Sequence, residues 1–339
     1  MSRITLKSVA ERVGVSKMAV SLALRGHPSI SQTRREEIER VADELGYQPD
    51  GELSAAMTRL ANAQKTASQG NLAILNLHDK VNSLKLWESY RRYTAGIIER
   101  AEELGFSVSE HWGRDPSISV ERLSSILQAR GVRGLFIFSS LANRECGGFE
   151  AIPRMGMLGM GFRPLAKHVD YVTNDQFATV RLALGAIIKM GFSRPGLVVG
   201  PNDALLEQRY SGGFKSFQSA GSKDFAEPLT GVLPGDYNVF CDWFERWSPD
   251  VILTHESFIC DWLIKMDQAD LPLVHLDWHP SMKEEWMGVD QQGELIGAAA
   301  VDLMLEKLRV VSDRQPRVQR AVTVSGVWRP GPQKSVLTQ

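Results

Sequence analysis

The sequence predicts an α/β chain, with a small all-helical head followed by a two-lobed core of doubly wound parallel sheets. Three observations predict it. Basic residues gather at the N-terminus, the first fifty residues hold three short segments of helical periodicity, and from Asn71 onward short apolar strands alternate with amphipathic helices. With 339 residues, 43% of them hydrophobic, the chain is long enough to bury a large core in two or three domains.

Charge separates the head from the rest. Arg3, Lys7, Arg12, Lys17, Arg25, Arg34 and Arg35 face a single acid, Glu11, in the first 35 residues, whereas the following 15 carry six acids and only Arg40 as a base. The chain as a whole has a formal charge of −1, so a nucleic-acid role depends on this local excess and a polycationic coat protein is excluded. Cys146, Cys241 and Cys260 are odd in number and widely spaced, which suits reduced thiols and a cytoplasmic location better than a disulfide framework. No basic start with an apolar run resembles a signal peptide, and no apolar window is long enough for a membrane span.

Leu6 to Val13 reads as a first helix with Val9, Ala10 and Val13 on one face, ended by Gly14. Ser16 is placed to cap a second helix to Arg25, with Ala19, Val20, Ala23 and Leu24 inward and Ser16, Lys17, Met18, Ser21 and Leu22 more exposed. Ser31 opens a third helix to Leu45, packing Ile38, Val41, Ala42 and Leu45, and Gly46 terminates it. A tight turn between the first two helices makes a helix-turn-helix, whose second helix enters a major groove.

The runs Ile4 to Ala10, Ala10 to Ser16 and Ala19 to Gly26, with Tyr47-Gln48-Pro49 leaving the third helix, resemble the DNA-binding domain of the lactose-repressor (LacI/GalR) family of transcription regulators. That resemblance implies base reading by Lys17, Met18 and Leu22, and phosphate contact by Thr5, Ser16, Ser21, Arg25 and Thr33. Lysine donates to guanine O6 and N7, while methionine and leucine offer only apolar contact to a thymine methyl. For Leu22, packing under the third helix stands beside the thymine reading.

Residues 51–70 form the hinge or linker. In the family this stretch is a helix that orders on the operator and wedges a leucine into the minor groove. Here the usual asparagine is Asp50 and the usual leucine is Ala56, so the wedge falls to Leu53 or Met57, against the alternative of an ordinary amphipathic linker helix.

The core, residues 71–332, begins with Leu72 to Leu77 as a strand, Ser89 to Leu104 as a helix, Phe106 to Glu110 as a strand, Val120 to Arg130 as a helix and Gly134 to Phe138 as a strand. The rhythm restarts with helices or strands at Phe177 to Met190, Pro195 to Val199, Gly212 to Ala220, Tyr237 to Trp247, Val251 to Thr254, Phe258 to Asp267 and Leu271 to Leu276. Nearly continuous apolar strands such as Val251-Ile252-Leu253 fit sheets covered on both faces.

With Gly105-Phe106, Asn174-Asp175, Gly200-Pro201, Gly213-Phe214 and Asp250 to Leu253 in this order, the region looks like the effector-binding core of the same family, a periplasmic-binding-protein-like fold. The resemblance implies a late return of Gln291 to Leu308 to the first lobe. Lobe 1 is thus expected at about 71–166 and 292–324, lobe 2 at about 167–291 and 325–332, and a tail at 333–339, with no heptad to support a tetramer.

A ligand crevice in such a fold lies at the strand C-termini between the lobes. His78, Asp79, Arg209, Tyr210, Glu256, Asp277 and Trp278 follow candidate strands or turns and are the expected effector contacts. Carboxylates, an arginine and a tryptophan suit a sugar, whose hydroxyls bond polar groups and whose apolar face stacks on a ring. Three residues separate Arg209 from Gly213 where the family motif has two, so Tyr210 competes with Arg209 for the contact position.

Enzyme readings find less support. His275, Asp277 and His279 share a strand face as zinc ligands would, but no fourth ligand accompanies them. Gly159-Met160-Gly161 lacks the third glycine of a dinucleotide fingerprint, and neither a phosphate-binding loop nor a Gly-x-Ser-x-Gly elbow occurs. The sequence therefore predicts a non-enzymatic, cytoplasmic, homodimeric repressor without a cofactor. It is expected to bind a palindromic duplex operator under the control of a small polar metabolite, a carbohydrate.

Overall fold

The computed structural model describes residues 6–15, 20, 23–24, 31–45, 70–140, 144, 146–152, 155–218, 225–282, 286–309 and 318–331. It divides between Ala67 and Ser68 into two compact units.

In the head, α1 (Leu6–Val13) and α2 (Gln32–Glu44) enclose a small core of Val9, Ala10, Val20, Ala23, Ile38, Val41 and Ala42. Gly14 ends α1 at φ +73, a left-handed conformation that glycine adopts without a Cβ penalty. Ser31 precedes α2 in extended conformation, the backbone of an N-cap, although its hydroxyl makes no capping bond. Thr33 is exposed near the start of α2. Thr5, Ser16, Lys17, Met18, Ser21, Leu22, Arg25, Leu53 and Met57 lie outside the described residues.

The first lobe of the core is built on β1 (Gly70–Asn76), β2 (Phe106–Trp112), β3 (Val132–Phe138), β4 (Gly156–Met160), β5 (Asp170–Asn174) and β11 (Ala321–Val324). Their order is β11-β5-β4-β3-β1-β2, with every neighbouring pair parallel. One face is covered by α4 (Glu88–Glu103) and α11 (Gly293–Arg309), and a short helix α3 (Ser83–Leu86) leads into α4. Tyr93, Ile97 and Ala101, one helical turn apart, bury against Ile296, Ala300 and Met304 of α11 and the β-sheet. The other face is packed through Leu123 and Leu127 of α5 (Val120–Ala129) and Phe149.

The second lobe has β6 (Pro195–Val199), β7 (Leu229–Thr230), β8 (Val251–Thr254), β9 (Leu273–Trp278), β10 (Met287–Asp290) and β12 (Val327–Arg329) in the order β12-β10-β9-β8-β6-β7. Only β12 is antiparallel to its neighbour. Its faces are covered by α6 (Gln176–Lys189) and α8 (Arg209–Gln218), and by α9 (Tyr237–Trp247) and α10 (Phe258–Lys265), while α7 (Asn202–Leu205) is a single turn before α8.

The chain passes between the lobes after Asn174, after Asp290 and after Val324. The first of these corrects the expected boundary at residue 166. Asp170–Asn174, expected from the sequence in lobe 2, pairs with β4 and β11 of lobe 1. Asp170 anchors it there, its carboxylate meeting Lys307 Nζ and Arg320 Nη2, both at 3.1 Å. Gly159-Met160-Gly161, weighed as a nucleotide loop, is the end of β4 and the residue after it.

Candidate effector crevice

Because nearly all strands in both sheets run parallel, their C-terminal ends collect on facing edges of the two lobes. From lobe 1 come His78 beyond β1, Ser139 beyond β3, Gly161 beyond β4 and Asn174 at the end of β5. Lobe 2 contributes His255 and Glu256 beyond β8, Asp277 near the end of β9, and Gln291 beyond β10.

Asp277 is the central carboxyl of this arrangement. It stands next to Ser89 at the start of α4, and within electrostatic reach of His279, His255 and Arg92. Burial raises its carboxyl above the ordinary carboxylate range, with those three side chains and Ser89 acting in the opposite sense. Tyr93 is buried in lobe 1, and its phenol is pushed up by burial first and then by Asp277 and Tyr210.

Tyr210 is set by the start of α8. Asp203 is buried, and its carboxylate accepts from Tyr210 N at 2.9 Å and from Ser211 Oγ at 2.5 Å, fixing the first turn of the helix. The Tyr210 ring then stacks on His255 at 5.0 Å, and its hydroxyl accepts from Gln291 Nε2 at 3.3 Å. Gln291 also donates to Leu276 O at 2.8 Å, so one amide links β9, β10 and α8.

Glu256 accepts from Gly200 N and pairs with His255 Nε2, each at 3.1 Å. Burial would raise its carboxyl, but the His255 and Gly200 hydrogen bonds hold it below the usual range. The side chain thus orients His255 against Tyr210. His275 is buried beside Trp286, its Nδ1 accepts from Asp277 N at 3.2 Å, and burial lowers its pKa to about 4.

His78 packs between Trp87, at 4.9 Å between ring centres, and Tyr90, at 5.3 Å, and the two larger rings meet edge to face. Burial depresses its pKa, so it is a neutral ring at pH 7. This aromatic wall and the buried polar ends beside it carry the strongest sign of a ligand. His78 Nε2 and His255 Nδ1 are buried without a hydrogen-bond partner within the chain, and such groups are costly unless something bonds them.

Of the sequence-predicted contacts, the structure brings Tyr210, Asp277, Glu256 and His78 to the crevice. It does not bring Asp79, which is 88% exposed and paired with Arg114 at 2.9 Å on the outside of lobe 1. Nor does it bring Trp278, because successive strand residues point to opposite faces. With Asp277 inward, Trp278 turns out, donates to Trp286 O at 3.0 Å and lies under the Arg329 guanidinium. Arg209 is one helical step, about 100°, from Tyr210 and lines a neighbouring cleft with Arg144, Arg163 and Glu207.

Sequence reasoning missed Tyr93, Asn174, His255 and Gln291. Tyr93 sits mid-helix and reads as core, and the other three become visible only once strand ends are located. Among the described residues, no group of three or more His, Cys, Asp and Glu could hold a metal ion, and His279 Nδ1 instead meets Ser281 Oγ at 2.8 Å. No helix among them is long and apolar enough to cross a membrane.

Residues 5–50 match the family of bacterial regulatory proteins, lacI family. The chain is 28% identical over 245 residues to the HTH-type transcriptional regulator CelR of Thermobifida fusca, a match covering 69% of this chain and 66%, just under two thirds, of that relative. In fold it is similar to a CelR–cellobiose complex, with a TM-score of 0.58 and 20% identity over 97% of this chain and 99% of the other. It is also similar to the lac repressor dimer bound to operator and an anti-inducer, with a TM-score of 0.54 and 18% identity over 96% and 98% of the two chains. The head at residues 5–50 thus matches the lacI family of bacterial regulatory proteins, and the two-lobed core shares the fold of these regulator structures.

Proposed function

We propose that the protein is a sequence-specific transcriptional repressor whose hold on a palindromic operator is set by an uncharged carbohydrate bound in the crevice around Asp277. The observation that carries the effector half is the pair of buried ring nitrogens without partners, His78 Nε2 from lobe 1 and His255 Nδ1 from lobe 2, with His78 seated on the aromatic wall of Trp87 and Tyr90. Hydroxyl groups satisfy such atoms, and a sugar ring face stacks on such a wall. The structurally similar CelR–cellobiose complex is consistent with the same ligand class. Two copies of the head, related by a two-fold axis, would each read one half-site.

The crevice acts as a switch because its polar groups come from both lobes. A ligand that bonds Asp277 and Tyr210 from lobe 2, and His78 from lobe 1, favours one separation of the lobes over another, and DNA affinity changes by the difference in ligand affinity between the two dimer states. The test is fluorescence anisotropy of the full chain on its selected operator, titrated with cellobiose, maltose and related oligosaccharides. One of them is expected to shift operator affinity in the parent and to lose this effect in Asp277→Ala, with ligand-free DNA affinity unchanged. Calorimetry showing undiminished sugar binding by the variant removes Asp277 from the site.

A further inference from the structure

Beside the Asp277 crevice lies a second, shallow and half-open cleft, bounded by the segment after β4 in lobe 1 and the turn between α7 and α8 in lobe 2. Three guanidinium side chains, Arg144, Arg163 and Arg209, line it together with one carboxylate, Glu207. Arginine stays protonated at any physiological pH, so cations outnumber anions in a partly enclosed space, where field lines concentrate and draw a counter-ion.

Glu207 occupies the place of that counter-ion. Its carboxylate meets Arg163 Nη1 at 2.7 Å and Arg209 Nη2 at 3.5 Å, reaching one arginine from each lobe. It is delivered by an unusual backbone. Glu207 and Gln208 are adjacent non-glycine residues at φ 60 and 57, a left-handed pairing that costs energy and is held by Gln208 N donating to Asp203 O at 2.8 Å. A second, independent feature points to a ligand. Gln176 lines the same cleft, is 2% exposed, and its Oε1 is buried without a partner in the chain, an acceptor for which the protein supplies no donor.

We infer that this cleft binds the acidic group of a small polyhydroxylated molecule, a phosphate monoester or a carboxylate. The ligand anion takes the place of the Glu207 carboxylate between Arg163 and Arg209, and a ligand hydroxyl donates to Gln176 Oε1. Charge-assisted bonds from guanidinium groups on both lobes make the anion a bridge between them. The site is distinct from the Asp277 crevice and does not rest on the carbohydrate reading.

The test is calorimetry on the full chain at fixed ionic strength with glucose 6-phosphate, gluconate and inorganic phosphate as probes. Binding of glucose 6-phosphate or gluconate is expected to be saturable and tighter than that of inorganic phosphate. Arg163→Gln and Arg209→Gln are each expected to weaken it by about tenfold or more, and Glu207→Gln to tighten it. Asp277→Ala is expected to leave it unchanged, which keeps this result separate from any failure at the crevice. Lack of saturable binding by all three probes overturns the inference. So does binding that survives both arginine substitutions, that Glu207→Gln weakens, or that inorganic phosphate matches, since the last leaves no role for the hydroxyls.

Discussion

Arg92 Nη2 lies 2.9 Å from Asp290 Oδ1, with the two side chains only 10% and 6% exposed, and this pair joins the lobes where the chain crosses between them. Arg92 stands on α4 of lobe 1 and also meets Glu294, at the start of α11. Asp290 ends β10 of lobe 2, accepts from Gln292 N at 2.8 Å and faces Arg329 at 3.2 Å. Burial alone would lower the Arg92 pKa, yet the two carboxylates hold it above its ordinary value.

Arg92→Met is expected to leave Asp290 enclosed without its main partner and to destabilise the core by about 3 to 5 kcal/mol. Urea unfolding of the full chain measures it, and a loss below about 1 kcal/mol would show that Arg329 and Gln292 suffice for Asp290.

Close approach of α4 and α11 depends on two glycines. A methyl at Gly96 would run into the main-chain oxygen of Glu294, and one at Gly297 into that of Tyr93. Gly96→Ala and Gly297→Ala are each expected to destabilise by about 1 to 3 kcal/mol or more, because backbone on both sides has no freedom to yield. Thermal melts check this, with Gly212→Ala, where a Cβ meets nothing within 4 Å, as the neutral control.

His275 gives a pH dependence with a definite sign. Its folded pKa of about 4 lies below the ordinary 6.5, so between those values the unfolded chain holds the proton more tightly. Stability from this group is complete above pH 6.5 and is lost as pH falls toward 4, by about 3 kcal/mol in all. Denaturant melts at stepped pH should show a loss that His275→Gln removes, and an unchanged slope in that variant would assign the dependence to other groups.

Much of this fold was legible in the sequence because parallel strands buried on both faces are short apolar runs with little ambiguity. Tyr237 to Trp247 and Val251 to Thr254 have the predicted ends. Asp170–Asn174 was not legible as a lobe 1 strand, because its partners, β4 and β11, lie about ten and 150 residues away in the chain. Site residues divided similarly. Asp277 follows an apolar run and lies at the strand ends that form the candidate crevice, whereas Trp278 and Arg209 are separated from their neighbours there only by the alternation of a strand and the turn of a helix.

In the head, Lys17→Ala is expected to lower specific operator affinity by about 1 to 3 kcal/mol and relax preference at one base pair. Binding to a panel of single-base operator variants measures both. An unchanged preferred base with a reduced salt slope would reassign Lys17 to a phosphate.

The most direct measurement of the central claim is selection from a randomised duplex pool by the purified full chain, followed by a salt titration on the enriched sequence. The account predicts an approximately palindromic site, bound with a steep dependence on salt and released or tightened by a carbohydrate. Enrichment of no sequence, with and without the oligosaccharides, would contradict it.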